Sequence, residues 1–436
     1  MKKMLKKSLV VAVSAGLATL SFQTHATVGY FAHGYGIKAK GMGGAGVALP
    51  QDSLAAATNP AGMVLMGNRW DVGGEIFIPD RNATTAWGTG FNNPPATSTS
   101  YDGNGSGFGE TWFLIPEFGY NKMMGNNWSF GVSVFGNGGM NTTWDAPIFS
   151  AGTNFATSSN HQTSIDLSQL FVSPTLSVKL DDKNSLGVSV NVVYQRIEIN
   201  GVGDFGTLSS DAANLSDKGY DGSYGVGFKV GWIGQLTDTV SAGFSYQPKT
   251  NMKPFEKYKG LFAESGDFDI PANYAFGVSW KATPKMMIAA DIQEIKYGGV
   301  RSIANPNTFG ATGLLGTPAG PGFGWKDMTV YKLGANFQVN KDLVVRAGWA
   351  HGNQPIPAGE TLFNVLAPAV VEDHLTLGFT MNMNGGELSG FYMHALDNQV
   401  AGVPGGSTTG PGANAAGTAD IGMSQNAFGI AYGKKF

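Results

Sequence analysis

Few residue types in this chain are spaced for catalysis or for metal binding. The chain contains six histidines and no cysteine, so neither a cysteine nucleophile nor a thiolate metal site is available. No G-x-S-x-G nucleophile elbow is present either. The histidines beyond residue 26 lack metal-ligand spacing; they are His33, His161, His351, His374 and His394. We therefore predict that the protein is not an enzyme and uses neither a metal nor a cofactor.

A glycine-rich stretch, Gly41–Gly46 ("GMGGAG"), formally matches the dinucleotide-binding pattern G-x-G-x-x-G. That pattern binds a nucleotide only where a strand precedes it and a helix follows it. The preceding residues, "HGYGIKAK", do not read as such a strand. We interpret the glycines as allowing close packing in a narrow space. The net charge of −3 also argues against a nucleic-acid partner.

Three cations in predicted strands are candidates for binding an anionic group, namely Arg346, Lys332 and Arg196. Arg346 and Lys332 each stand between apolar neighbours, so alternation directs them inward, to the face opposite the apolar one. Arg196 lies near the upper end of its strand and is grouped with them as an interior cation. Such a cation binds a substrate carboxylate or pairs with a buried acid such as Asp52, and the sequence leaves both roles open.

An apolar stripe runs through the loop formed by residues 249–271. Its members have helical spacing; they are Phe255, Tyr258, Leu261 and Phe262. Phe205 and Leu208, in the loop formed by residues 200–217, are candidates for a facing wall. A groove between these two loops would capture apolar molecules. The alternative is that the loops only pack on each other.

Alternation of large apolar and small polar residues predicts the elements that position these groups. Fourteen strands are predicted, starting near Asn68, Glu110, Asn127, Ser168, Asn184, Lys218, Thr239, Ile270, Lys285, Lys326, Asp342, Val371, Gly386 and Ser424. The links after even-numbered strands are short, and most of those after odd-numbered strands are long. Short turns at one end and long loops at the other are typical of outer-membrane barrels.

The composition favours a barrel in lipid over a soluble sandwich. Glycine accounts for 64 of 436 residues and charged residues for 14%, compared with about 25% charged residues in average proteins. The face opposite the bulky side chains carries Gly, Ser, Thr and Asn, whereas a soluble sandwich would carry Lys and Glu there. We predict an all-β transmembrane fold, a fourteen-stranded antiparallel outer-membrane β-barrel with a small N-terminal helical plug.

Both ends of the chain carry targeting patterns. Lysines precede the apolar residues 8–22, and "THA" at residues 24–26 suits cleavage, so residues 1–26 are predicted to be a signal peptide. We expect the protein in the outer membrane of a Gram-negative bacterium. The last strand ends in Phe436, a terminal aromatic residue that resembles the signal read by the barrel-assembly machinery.

Residues 54–63, "LAAATNPAGM", interrupt the strand pattern. Small helix-forming residues lead to Asn59-Pro60, where proline removes an amide donor and restricts the residue before it. A short helix ahead of the first strand suits a plug, because a helix satisfies its own backbone. We assign residues 27–67 to a hatch inside the barrel and residues 68–436 to the barrel.

The stretch "GYFAHGYGIKAKGMGGAGVALPQDSLAAATNPAGM" resembles the N-terminal hatch of the FadL family. That family comprises outer-membrane transporters for long-chain fatty acids and other hydrophobic compounds, and it includes the TodX-type transporters of aromatic hydrocarbons. Asn59, Pro60 and Ala61 resemble the family's NPA motif in its usual place before the first strand. Similar stretches, such as "ANYAFGVSW" and "SPTLSVKLDDKNSLGVSVNVVY", continue along nearly the whole chain.

The resemblance implies a route for the ligand. Ligand is taken into a groove between the third and fourth extracellular loops and passes to an internal apolar pocket. A kinked third strand then opens the wall sideways. The kink would fall in "FGNGGMN", and its candidate residues are Gly136, Gly138 and Gly139, because glycines suit a broken ladder. Whether Asn59 takes part in gating or only ends a helix stays open.

The expected function is passive transport of long-chain fatty acids or aromatic hydrocarbons by a monomer. Its surroundings would be outer-membrane lipid and lipopolysaccharide. Three alternatives remain open: a polar-solute porin, a structural or adhesive barrel that transports nothing, and, least favoured, a barrel enzyme.

Overall fold

The computed structural model describes residues 28–88, 95–106, 109–149, 162–308, 313–383, 385–403 and 418–436. The predicted signal peptide and His161 lie outside the described residues. Within the described part, no helix is both long enough and apolar enough to cross a membrane.

The described residues form fifteen strands in one antiparallel sheet, in which each strand pairs with its neighbours in the chain with one exception given below. They are β1 (Arg69–Gly88), β2 (Pro95–Asp102), β3 (Phe113–Met123), β4 (Trp128–Thr143), β5 (Ser164–Lys179), β6 (Asn184–Asn200), β7 (Asp221–Gln235), β8 (Val240–Gln247), β9 (Asn273–Thr283), β10 (Met286–Ile295), β11 (Met328–Gln338), β12 (Leu343–Gly352), β13 (Asp373–Met383), β14 (Gly386–Val400) and β15 (Thr418–Lys435). The sheet closes because β15 pairs with β1 along almost its entire length.

The wall of this barrel has fourteen strand positions around its circumference, which we call staves. This number confirms the predicted fold class. The exception is that β2 and β3 pair with the same side of β1, β3 along Arg69–Phe77 and β2 along Asn82–Gly88, so together they occupy one stave. The sequence analysis missed β2, because the polar residues "PATSTSYD" lie in a long link and do not alternate. The strand predicted near Ser424 also begins earlier, at Thr418.

Side chains alternate between the two surfaces of the wall as the sequence predicts. On β4, Trp128 and Phe130 are exposed on the outer surface, whereas Ser129 and Ser133 are buried on the inner one. An apolar outer surface with a small polar inner surface is the arrangement of a barrel that stands in lipid.

The described residues that precede β1, 28–67, fold inside the barrel and are almost all buried. We call residues 28–67 the hatch. Its short helices are Ile37–Lys40, Ala55–Thr58 and Met63–Met66, and a 3₁₀ turn covers Pro60–Gly62. Its later part contacts wall residues near the short-turn end of the barrel, whereas Tyr30 and Phe31 lie higher, beside β4.

The described parts of the long links at the opposite end of the barrel are folded over it. Their short helices and 3₁₀ turns are Gly203–Leu208, Ala212–Asn214, Glu256–Tyr258, Ala263–Gly266, Tyr297–Gly299, Arg301–Ala304, Ala358–Glu360 and Phe363–Val365. Side chains from these links join the first residues of the hatch in one large apolar cluster, which we call the loop core.

Candidate functional site

Asn59 of the predicted NPA motif fastens the hatch to the wall. Its side-chain amide nitrogen donates to the backbone oxygens of Val47 (2.8 Å) and of Trp232 on β7 (3.0 Å). Its side-chain oxygen accepts from the amide of Ala61 (3.1 Å), which caps the 3₁₀ turn that begins at Pro60. A residue that ends one helix therefore also bridges two parts of the hatch and the barrel.

Wall glycines let the hatch backbone touch the barrel directly. A Cβ atom at Gly187 would lie 2.2 Å from the carbonyl carbon of Pro60, and one at Gly231 would lie 1.9 Å from the side-chain oxygen of Asn59. Within "GMGGAG", Gly44 has a positive φ of 77°, and a Cβ there would lie 1.9 Å from the backbone oxygen of His33. These glycines serve close packing, as interpreted from the sequence.

Paired charges join the hatch to β1 and β14 near the short-turn end of the barrel. Lys40 of the hatch forms a buried ion pair with Glu75 of β1. Lys38 contacts Glu387 of β14 at 2.5 Å, and Glu387 also accepts from Arg69 at 3.0 Å. Because buried charges are costly without partners, these contacts favour one seating of the hatch.

Two of the three predicted interior cations do face the lumen and contact polar groups there. Arg346 donates to the side chains of Gln51 in the hatch (3.1 Å) and Thr380 in the wall (2.8 Å). Gln51, the hatch partner of Arg346, directly precedes Asp52, the acid that the sequence analysis considered as a partner for an interior cation. Lys332 donates to Gln293 (2.9 Å).

The structure corrects the position of the third cation. Arg196 lies on the outer surface of β6, because its neighbours Gln195 and Ile197 are the buried ones. Its guanidinium stacks over the Tyr220 ring at 4.3 Å and approaches Asp166 at 3.9 Å. Arg196 is even-numbered like the outward-facing Val192 and Tyr194, so strict alternation would have placed it outside.

The described residues include five buried cations that the sequence analysis missed: Lys38, Lys40 and Arg69, which form the ion pairs above, and also Lys229 and Arg81. Lys229 of β7 donates to the backbone oxygen of Ala57 at 2.5 Å, and Arg81 of β1 is 1% exposed. Lys229 follows the outward-facing Phe228, and Arg81 follows the outward-facing Asp80. Extending the alternation test to every charged residue in a strand would have identified both.

The wall is interrupted at the glycines of β4. The pairing of β4 with β5 shifts register between Gly136 and Gly138, and the pairing of β4 with β3 ends at Val134. The hatch fills the place of the missing neighbour. Phe31 forms a bridge with Gly138, and Gly139 donates to the backbone oxygen of Tyr30 (2.9 Å). A Cβ at Gly138 would lie 1.7 Å from that same oxygen.

The six predicted groove residues all belong to or pack against the loop core. Leu208 packs against it partly buried, and the other five are buried. The Phe205 ring lies 5.0 Å from that of Phe149, and the Phe262 ring lies 5.0 Å from that of Phe268. The two loops contact each other directly, because Gly260 donates its amide to the backbone oxygen of Asn214 (2.9 Å) and accepts from the Ser209 hydroxyl (2.7 Å). They are therefore packed on each other rather than separated by an open groove.

Two acids, Asp267 and Asp269, lie near the end of the loop formed by residues 249–271. Asp269 pairs with Lys249 at 2.7 Å. Burial raises the pKa of the neighbouring Asp267 to about 7, and the negative charge of Asp269 contributes in the same direction. Asp267 therefore holds its proton at mildly acidic pH.

Histidines form no metal centre in the part of the chain that the structure describes. His33 of the hatch stacks on His374 of β13, with ring centroids 6.0 Å apart. His351 contacts Asp373 at 3.1 Å, and His394 contacts Asn426 at 3.0 Å.

The geometry agrees with what comparison with known proteins finds. The family model described as "Outer membrane protein transport protein (OMPP1/FadL/TodX)" matches residues 17–389. The chain belongs to this family. It is thus a FadL/TodX-family outer-membrane transporter of hydrophobic compounds, and membership implies the outer membrane of a Gram-negative bacterium. No curated protein sequence is significantly similar to it.

Solved FadL/TodX-family structures share the fold. The P. putida toluene transporter TodX has 18% identity and a TM-score of 0.66, covering 93% of this chain and 99% of that one. A FadL homologue from Pseudomonas aeruginosa has 16% identity and a TM-score of 0.65, covering 94% and 100%. The Ralstonia pickettii toluene transporter TbuX has 18% identity and a TM-score of 0.63, covering 93% and 99%.

Proposed function

We propose that this protein takes long-chain fatty acids or aromatic hydrocarbons from outside the cell and releases them through the wall of its barrel. The observation that carries the proposal is the extent of the loop core. This cluster includes Phe205 and Phe262 in the outer loops, and it reaches Tyr30 and Phe31 beside the interrupted strand β4. A hydrophobic compound would meet apolar side chains along this whole route.

Such a route needs no energy source. An alkyl chain gains about 0.8 kcal/mol for each CH₂ group that leaves water, so the loop core would collect such chains by partition alone. Local separation of the two packed loops would admit the ligand, and Phe255, Tyr258 and Leu261 would then line its path. Those buried residues are our candidates for the capture groove.

Movement of Tyr30 and Phe31 away from Gly138 would open the wall. Their backbone bonds occupy the place of a β3 neighbour, so their departure would leave β4 unpaired on that side. The hatch farther down would stay seated through Asn59 and the ion pairs. In this scheme Asn59 fixes the hatch, and the first hatch residues form the gate.

Three alternatives make different demands on the lumen. A polar-solute porin would need a water-filled passage. In this protein, the wall cation Arg346 instead donates a hydrogen bond to Gln51 of the hatch. An adhesive or structural barrel would not need an apolar core that continues inward from its loops. A barrel enzyme would need a catalytic constellation, for which the sequence offers no motif.

The deciding experiment is uptake of labelled oleate and labelled toluene by cells with and without this gene, in a background that lacks other such transporters. We expect faster uptake of at least one of the two when the gene is present. A control barrel without a hatch, expressed to the same level, corrects for general permeability. Equal uptake of both solutes with and without the gene would refute the proposal.

Assembly and surroundings belong to the same proposal. We expect a monomer embedded in outer-membrane lipid and lipopolysaccharide, inserted by the barrel-assembly machinery through its contact with Phe436. Pairing of β15 with β1 of the same chain supports a monomer, because the last strand does not offer that edge to a second copy.

A further inference from the structure

A chain of four hydrogen bonds crosses the interior of the barrel at the interruption in β4. Tyr35 of the hatch donates from its hydroxyl to the side-chain oxygen of Asn137 on β4 (2.8 Å), and Asn137 donates to Gln169 on β5 (3.0 Å). Gln169 donates to Gln195 on β6 (3.1 Å), which donates to the backbone oxygen of Phe268 (2.8 Å). We call the three side chains Asn137, Gln169 and Gln195 the amide chain.

The bonds of the amide chain all run in one direction, from the hatch to an outer loop. Each of its three side chains accepts through its oxygen and donates through its nitrogen, and all three are buried. Turning one amide over would place two donors or two acceptors against each other, which is costly for buried groups. The orientation of one amide in the chain therefore fixes that of the others.

One end of the amide chain lies at the proposed gate. The pairing of β4 with β5 shifts register at Asn137, which lies between the paired residues Gly136 and Gly138. An extra residue of this kind bends a strand and disrupts its ladder. The backbone oxygen of Asn137 accepts from the amide of Ala32 at 2.9 Å, next to Phe31, which forms the bridge with Gly138. Asn137 therefore contacts the gate through its backbone and the amide chain through its side chain.

The other end lies in the outer loop formed by residues 249–271. The Phe268 ring makes a T-shaped contact with the ring of the predicted groove residue Phe262 (5.0 Å) and lies 6.1 Å from the ring of Tyr30 in the gate. Phe268 thus lies between the place where a ligand would enter and the place where it would leave. A ligand that separates the loops would displace this ring, together with the backbone oxygen that accepts from Gln195.

We propose that the amide chain couples the outer loop to the gate, so that the wall opens only after an entering ligand has displaced Phe268. The inference rests on the proposed function and specifies its regulation. Once Phe268 moves, the nitrogen of Gln195 is a buried donor without its acceptor. Gln195 then turns away from Gln169, and Asn137 at the far end loses its fixed orientation. Gln169 and Gln195 are therefore positioning residues, which act on the gate through Asn137.

Amide hydrogen exchange of the full chain in detergent tests this coupling. The regions to follow are residues 30–35 and 137–141, because the gate is held there by the backbone amides of Ala32 and Gly139. We expect Gln195→Met to make exchange in both regions about 5-fold faster or more without any ligand. Faster exchange confined to β5 and β6 would show a local structural role and overturn the coupling.

Two further variants keep the test specific. Gln247→Met is the matched control, because it removes a buried wall amide that accepts from Asn191 (3.2 Å) and lies outside the amide chain; it should leave the gate at the wild-type rate. Tyr35→Phe removes only the hydroxyl that begins the chain and keeps the ring contact with Phe135 (4.9 Å). This small change should fold normally and should also speed exchange in the gate.

Oleate and toluene, added separately, measure the response to a ligand. At least one should speed exchange in residues 30–35 of the wild type about 5-fold or more, and it should add little in Gln195→Met, where the coupling is already broken. An equal response of both proteins, or wild-type exchange in folded Gln195→Met and Tyr35→Phe, would overturn the coupling and leave the transport proposal intact. Absent uptake of both solutes by cells, with a gate that still responds to Gln195→Met, would overturn the transport proposal alone.

Discussion

At the scale of single residues, a few polar side chains decide where the hatch sits. Asn59 is 1% exposed and serves three backbone groups at once. No shorter side chain supplies both the donors and the acceptor that these groups need. Its role therefore extends beyond the helix stop that the sequence alone supports.

Replacing Asn59 with alanine should loosen the hatch and spare the barrel. The change removes the side-chain donor to the backbone oxygens of Val47 and Trp232 and the acceptor for the Ala61 amide, at about 1–3 kcal/mol for a buried group that loses its partner. We expect faster amide hydrogen exchange in residues 45–62 and unchanged exchange in the strands. Asn126→Ala, in an exposed turn, is the control. Unchanged exchange in the hatch would contradict the fastening role.

Asp267 should make the capture loop sensitive to pH. Its pKa is raised from an ordinary value of about 3.9 to about 7, so its contribution to loop stability is complete below pH 4 and is lost as the pH rises through 7. We expect amide exchange in residues 249–271, corrected for intrinsic rates, to be faster at pH 8 than at pH 5.

Asp267→Asn should abolish this difference, because the variant carries no charge at either pH. Asp238→Asn, in an exposed short turn, should retain it. An identical pH dependence in the wild type and in Asp267→Asn would show that another group titrates.

At the scale of elements, the hatch and the strands depend on each other through buried charges. Lys40 and Glu75 are 5% and 3% exposed, so neither is left in water if its partner is removed. Removing one member of such a pair costs about 3–5 kcal/mol, whereas replacing both members with apolar residues is often neutral.

The single change Lys40→Met should therefore displace the hatch from the wall more than the double change of Lys40→Met with Glu75→Leu does. We expect higher ion conductance in planar bilayers for the single variant and conductance near that of the wild type for the double variant. Lys341→Met, which removes an exposed cation 3.9 Å from Asp342, should change nothing, because exposed pairs contribute little. Equal conductance of the single and double variants would argue against the pair as an anchor.

Elements whose pattern is local were predictable from the sequence, and those that depend on distant partners were not. Alternation identified all fourteen staves. The strand β2 was not predicted, because its own residues do not alternate and so do not indicate that it pairs with β1. Arg196 was misplaced although its own parity indicates the outer surface. Arg81 was missed although its parity indicates the inner surface. The burial of Phe255 depends on groups far apart in the chain, which only the folded barrel brings together.

At the scale of the whole molecule, closure of the barrel brings the first and last residues of its wall together. Phe436 donates its backbone amide to the oxygen of Asn68 at 3.2 Å, and its ring stacks on Tyr120 with centroids 5.7 Å apart. The side chain is nonetheless 56% exposed, so its loss should cost the finished barrel little.

Phe436→Ala should consequently separate assembly in cells from folding in a test tube. We expect a several-fold lower yield of folded barrel in the outer membrane, measured by the heat-dependent shift on gels, and an unchanged refolding yield in detergent. Lys435→Ala should have no effect in either assay. Equal losses in both assays would assign Phe436 a structural role in place of a recognition role.

Finally, the glycines of the wall determine which interactions would oppose a movement of the hatch. Where Gly187 and Gly231 touch the hatch, the barrel has no side chains that could act as ridges. Sliding across such a smooth surface is opposed by a small number of hydrogen bonds and ion pairs rather than by interlocking shapes. A methyl group at Gly187 would overlap Pro60, and one at Gly231 would overlap Asn59, so neither position can change while the hatch keeps its place.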